Sequence, residues 1–206
     1  VTCALVNINS INPSSSTATF RDFLDSRAGE TVTGNMVSCL WMAIAHQRWH
    51  NISFSPDSVL VPLRNLALCR PSLLPLLASL GVIEPLHQVL KTFQSCTKSL
   101  MCLGLGCELL CMLSSDRALH LKLNRLGILP TVHLMKLEAE VRQIKEGPEG
   151  LAWAAVALFA RETEDRLTEA PFALLMALHP RLGRNSQLMP LDEAVLSLII
   201  DYAFFG

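Results

Sequence analysis

Three groups of side chains in this chain have types and spacings that could carry chemistry. Cys96, Cys102, Cys107 and Cys111 form the densest cluster of its seven cysteines. Cys107 and Cys111 stand four apart and share a face of any helix that holds them. A structural zinc site usually shows two close pairs, such as CxxC, separated by about a dozen residues or more. That pattern is absent, and the cluster reads as buried thiols. His46 and His50 stand at i and i+4, a spacing that suits two metal ligands, but no third ligand accompanies them and they read as a surface pair. Glu162, Glu164, Asp165 and Glu169 are interleaved with Arg161 and Arg166. That mixture reads as a solvated loop with local ion pairs and not as a catalytic dyad. There is no phosphate-cradling glycine loop and no GxSxG elbow. The expectation is a protein that is not an enzyme and carries no metal or cofactor.

The elements that position these groups show a repeat. Leu80-Gly81-Val82-Ile83-Glu84-Pro85-Leu86 returns 46 residues later as Leu126-Gly127-Ile128-Leu129-Pro130-Thr131-Val132, each copy after a polar break and a short apolar run. A period of this size, filled with helix formers, marks a helical repeat array. One unit reads as a short helix from Ser72 to Leu80 stopped at Gly81, a second from Pro85 to about Phe93, and a third from Lys98 to Leu113. The next unit reads as Ala118 to Leu126 stopped at Gly127, then Pro130 to about Lys145, then Glu149 to Arg161 after the Gly147-Pro148 break. Upstream, a helix opens at Ser55-Pro56 and ends near Cys69. Before it, a short helix from Phe20 to Leu24, a break through Gly29 and Gly34, and a helix from Asn35 to Trp49 are expected. Downstream, Phe172 to Leu178, a loop at 179–190 and a helix from Asp192 to Phe205 form a degenerate last unit.

Composition narrows the class. The chain is 50% apolar and only 17% charged, against roughly 25% charge in typical soluble domains. That balance excludes disorder over most of the length and suggests that a partner covers some apolar surface. Seventeen basic and eighteen acidic residues are interspersed, and with no basic face nucleic acid is a poor candidate partner. The longest apolar run, Leu100 to Leu113, is broken by Glu108 and falls short of the ~20 residues of a membrane span. The run from Ala194 to Phe205 is shorter still, so no transmembrane helix is expected, while peripheral membrane contact stays open. Cysteines inside apolar helical stretches point to reduced thiols and an intracellular, cytoplasmic protein, with an organelle left open. The chain opens at Val1 inside an apolar segment, as a fragment of a longer protein would.

Short helix, glycine turn, middle helix, loop and longer third helix together resemble the armadillo repeat family and its HEAT relatives. Leu63-Arg64-Asn65-Leu66-Ala67 is similar to the end of an armadillo third helix, and Ala4-Leu5-Val6-Asn7-Ile8 resembles the same ending in an earlier unit. Arg70 through Leu90 looks like the first and second helices that follow, and third-helix endings at Leu66, Met112 and Leu158 keep the 46-residue spacing. The resemblance implies an all-α, right-handed solenoid of about three repeats over residues 1–178, clearest over 56–161. Residues 179–206 then form a C-terminal loop and capping helix. Armadillo proteins that hold extended peptides use asparagines on their third helices with tryptophans one turn away, since an asparagine can bond both the N–H and the C=O of a bound backbone. The corresponding positions here are Asn7, Asn65, Cys111 and Ala157, with Trp153 one turn before Ala157. Two asparagines of four make a broken ladder, so local roles for Asn65 and Trp153 compete with partner binding.

The functional expectation is a non-catalytic protein-protein interaction scaffold or adaptor. Its partner is an extended peptide segment or neighbouring subunits, with Asn7, Asn65 and Trp153 as contacts. The apolar end Tyr202-Ala203-Phe204-Phe205 supplies Tyr202, Phe204 and Phe205 as further contacts, or is buried on the preceding repeat. The alternative is a structural subunit of a large, membrane-associated or organellar complex whose apolar faces are covered by neighbours.

Overall fold

Gly81 and Gly127 each stop a short helix by turning left-handed, with φ of +81° and +69°. Glycine adopts this region without the clash that a Cβ brings. At Gly81 the Val82 N–H donates to the Leu77 carbonyl and the Gly81 N–H to the Ala78 carbonyl, the Schellman pair that satisfies a helix C-terminus. At Gly127 the glycine N–H donates to the Asn124 carbonyl. A chain stopped this way re-enters a helix immediately, and both times it does.

The computed structural model describes residues 26–49, 51–94, 100–144 and 147–178. It is all-α apart from one pair of two-residue strands. Helix α1 (Arg27–Ile44) is followed by β1 (Arg48–Trp49) and β2 (Ile52–Ser53), antiparallel with Trp49 opposite Ile52. Helix α2 (Pro56–Cys69) opens on the expected proline. A 3-10 turn (Pro71–Leu73) leads into α3 (Leu74–Ser79), then α4 (Ile83–Gln94) and α5 (Leu100–Leu113). A second 3-10 turn (Arg117–Leu119), capped by Asp116, leads into α6 (His120–Arg125), α7 (Ile128–Arg142) and α8 (Pro148–Leu178).

Helix α1 packs against α2 and α4, α4 against α5 and α7, α5 against α2 and α8, and α7 against α8. One apolar cluster runs from Met36 and Leu40 of α1 through Leu63, Leu86 and Leu110 to Met135, Val156 and Leu167. Three polar bridges each join residues 44 positions apart. Arg64 Nη2 donates to Glu108 Oε1 at 2.8 Å, His87 Nε2 meets Thr131 Oγ1 at 2.8 Å, and Lys122 Nζ donates to the Ala78 carbonyl at 2.7 Å. The Thr131 hydroxyl also donates to the Gly127 carbonyl, which fits His87 as the Nε2–H tautomer. Among the described residues no single helix is long and apolar enough to cross a membrane.

Three expectations are corrected. The break through Gly29 and Gly34 is absent, and both glycines lie inside α1. Glycine costs a helix about 1 kcal/mol relative to alanine. Here the Ser26 hydroxyl caps the Gly29 N–H at 3.2 Å, and Gly34 lies against Leu80, whose Cδ2 would sit 3.6 Å from an added Cβ. The helix ends at Ile44, not Trp49, so His46 falls in a turn at φ +53°; His50 lies outside the described residues. The acidic cluster at 162–169 is not a loop. It lies within α8, a continuous helix of 31 residues that runs on through the segment expected to restart at Phe172. The Arg166–Glu162 pair at i,i+4 and partners on α7 hold this stretch helical. Phe20 to Leu24, Asn7 and the terminal helix from Asp192 lie outside the described residues.

Two outcomes follow. A Cβ at Gly127 would meet nothing within 4 Å, so Gly127→Ala carries only the left-handed backbone cost of about 1–2 kcal/mol. For a chain of this size that lowers Tm by about 2–8 °C in thermal denaturation, whereas an unchanged Tm contradicts the turn. The second outcome concerns pH. His87 is buried, and burial, aided by the Lys91 charge, holds its pKa below the ordinary imidazole value. The folded chain therefore resists a proton that the unfolded chain accepts near pH ~6.5. Stability from this site is complete above that value and is lost as pH falls towards the lower folded pKa. Urea midpoints of His87→Gln should therefore fall less than those of the unaltered chain between about pH 7.5 and about pH 5, and an equal fall contradicts the assignment.

Candidate interaction surface

Helix α5 carries a single charge, Glu108, in fourteen residues. It is flanked by α2 and α8 and backed by α4, so its incompletely buried residues mark its open side. Besides Leu100 and Gly104, these are Met101, Leu105, Glu108 and Met112, at a spacing that lines one helix stripe. Met101 is 55% exposed and the other three are half-buried. Arg64 extends this side onto α2, because it binds Glu108 and so brings Val61, Asn65 and the exposed Leu68 alongside. Glu162 extends it onto α8, since its Oε2 lies 3.2 Å from Cys111 Sγ. Leu158, Ala155 and Leu151 follow from Glu162 on the same face of α8, and Leu151 and Leu158 are 75% and 51% exposed. The result is an apolar strip across three helices, crossed by the Arg64–Glu108 pair and edged on α8 by the Arg166–Glu162 pair.

Its polar groups are paired within the chain except Arg64 Nε, which is buried without a partner. Arg64 Nη1 donates to Asn65 Oδ1 at 3.1 Å while Nη2 binds Glu108. Arg166 Nη1 donates to the Cys111 carbonyl at 2.6 Å, and its Nη2 to Glu162 Oε2 at 3.2 Å. Burial, the hydrogen bond to Glu162 and that carboxylate's charge push the Cys111 thiol up to about 11, against the opposing Arg166 charge. Burial, together with the neighbouring Cys111, pushes Cys107 up as well. Both sulfurs are therefore thiols near neutral pH, poor nucleophiles and poor metal ligands. Among the described residues no three His, Cys, Asp or Glu side chains gather as a metal site would require.

The residues singled out from the sequence fall in different places. Asn65 sits half-buried on α2 within the strip, engaged by Arg64. The equivalent third-helix positions, Cys111 and Ala157, are 5% and 3% exposed, so they lie beneath the surface and not on it. Trp153 is 6% exposed, with the Arg142 guanidinium 4.8 Å from its ring centroid. Asn7, Tyr202, Phe204 and Phe205 lie outside the described residues, as does Cys96. On the other flank of α8, Glu164 binds both His133 (2.6 Å) and Lys136 of α7. Burial raises the Glu164 carboxyl, but hydrogen bonds and charge from Lys136 and His133 outweigh it and leave the pKa lowered.

The strip itself went unread in the sequence. Its signal was the charge pattern: Arg64 and Glu108 are isolated opposite charges in apolar helices, close to one repeat apart. No family model, no curated protein and no solved structure matches this chain.

Burial sets the order in which the thiols react. Cys69 is exposed, whereas Cys102, Cys107 and Cys111 are 1%, 3% and 5% exposed. Iodoacetamide should label Cys69 in the folded chain and reach the other three only after denaturant is added, as read by peptide mass spectrometry. Labelling of Cys111 at the rate of Cys69 contradicts the packing of α5 on α8.

Proposed function

We propose that the chain is an armadillo-like solenoid that acts as a non-catalytic interaction scaffold, binding an apolar segment of a partner protein along the α2–α5–α8 strip. The repeat reading is supported by the order of contacts. Middle helices α1, α4 and α7 pack in series, third helices α2, α5 and α8 pack in series, and the glycine turns recur after 46 residues. A unit of this kind cannot bury its apolar stripe alone, and stacking on a neighbour covers it.

The observation that carries the binding assignment is the open apolar line of Leu68, Met101, Leu105, Met112, Leu151 and Leu158 on three adjacent helices. Contiguous apolar surface of this kind on a folded chain marks an interaction site. Methionine suits the purpose because its flexible thioether adapts to different apolar side chains. The Arg64–Glu108 pair, half-exposed at the centre, offers a donor and an acceptor to the partner's backbone and sets its register. With its thiols protonated and its carboxylates held in ion pairs, this surface has no group poised for nucleophilic or general-base work. It recognises shape and apolar pattern.

The test is a comparison of tagged chains recovered from their native source. Proteins held by the unaltered chain should fall at least about tenfold on a chain carrying Met101→Lys and Leu158→Lys, the equivalent of about 1.4 kcal/mol. Tm should stay within about 1 °C, because both sites are exposed. An unchanged set of retained proteins at equal Tm overturns the assignment.

A further inference from the structure

The α2–α5–α8 strip has little with which to bond an extended backbone. A segment bound as a strand brings an N–H and a C=O at every residue, and each one buried without a partner costs about 1–3 kcal/mol. A ladder of asparagines would meet that demand, but its positions at Cys111 and Ala157 lie beneath the surface, and Asn65 Oδ1 already accepts from Arg64 Nη1 at 3.1 Å. Glu162 is engaged by Arg166 and by the Cys111 thiol. The Arg64–Glu108 pair serves one point, whereas the stripe from Met101 to Met112 runs about 17 Å and would hold about five residues of a strand.

We propose that the partner segment is an amphipathic α-helix laid along α5 between α2 and α8, an inference that rests on the strip being the binding site. A helix bonds its own backbone and asks its receptor for apolar contact alone. Relief and charge select the same occupant. Leu105 and Met112 on α5 are half-buried, while Leu68 on α2 and Leu151 and Leu158 on α8 stand further out, which outlines a shallow groove. Neighbouring helices pack about 8–10 Å apart, so α2 and α8 straddle α5 with room for one further helix over it. The stripe on α5 matches three turns of such a helix. Each carboxylate that crosses or edges the strip is paired with an arginine, Glu108 with Arg64 and Glu162 with Arg166. The groove therefore has no unmatched charge to offer, and a docked face must be uncharged, with the partner's charges on its opposite side. Apolar on one side and charged on the other is the pattern of an amphipathic helix.

The test selects a displayed library of random segments of about 16 residues, enough for a helix of about 24 Å, on the full chain. Selected segments are screened again on the chain carrying Met101→Lys and Leu158→Lys, and those that lose binding report on the strip. Apolar residues in these segments should recur at intervals of three and four, and a central proline should weaken binding at least about tenfold. The Cα resonances of an isotope-labelled segment should move to helical values in the complex. Strip-dependent segments with apolar residues at every second position and extended Cα shifts overturn the helix while leaving the strip as the site. Selection of no segment that depends on Met101 and Leu158 overturns both.

Discussion

Helix α5 sets the terms for the rest of the molecule, because fourteen residues with one charge have no face to give to water. A helix apolar nearly all round is stable only inside a layer. Leu103, Cys107, Leu109, Leu110 and Leu113 are therefore covered by α2, α4 and α8, and the neighbours must be there for the helix to exist. The single carboxylate falls on the one open side, where Arg64 of α2 meets it at 2.8 Å. Partial exposure and a charged hydrogen-bonded partner keep that placement inexpensive, whereas the same glutamate at a core-facing position such as Leu110 would face several kcal/mol of desolvation. The low overall charge of the chain has the same origin, since apolar surfaces spent on stacking leave few positions for solvated side chains.

The parts of this arrangement that were legible in the sequence are those fixed by local backbone chemistry. Gly81 and Gly127 announced left-handed stops, Pro56 a helix start and Gly147-Pro148 a break. Each works within about five residues of itself, so a window of sequence contains its whole cause. What failed depended on distant partners. Gly29 and Gly34 looked like breakers, but α1 runs through both, and Gly34 packs in ordinary contact with Leu80 from 46 positions downstream. Residues 162–169 looked like a solvated loop because the lysine and histidine that engage Glu164 belong to α7, about 30 positions upstream.

The candidate site divides along the same line. Asn65 was found because it occupies a recognisable helix position, yet its Arg64 contact and the burial of Cys111 and Ala157 belong to the packing of α2, α5 and α8. The apolar strip was hidden for a different reason. Helical periodicity identifies the stripes of α5 and α8, but a stripe of leucines and methionines reads identically whether it faces the core or the solvent. Only the positions of the neighbours decide, and they leave Met101, Leu151 and Leu158 outside. Packing that confines α5 on three sides thus leaves the fourth side as open, largely apolar surface.

The most direct measurement of this account is hydroxyl-radical footprinting of the methionines, on the chain alone and in the assembly recovered from its native source. Alone, among the methionines whose side chains the structure describes, Met101 at 55% exposure should oxidise fastest and Met112 more slowly, while Met36 and Met135, at 4% and 1%, stay protected. In the assembly Met101 and Met112 should become protected with the others unchanged. Equal oxidation of Met135 and Met101 in the free chain contradicts the packing, and a Met101 that stays fully reactive in the assembly contradicts the binding surface.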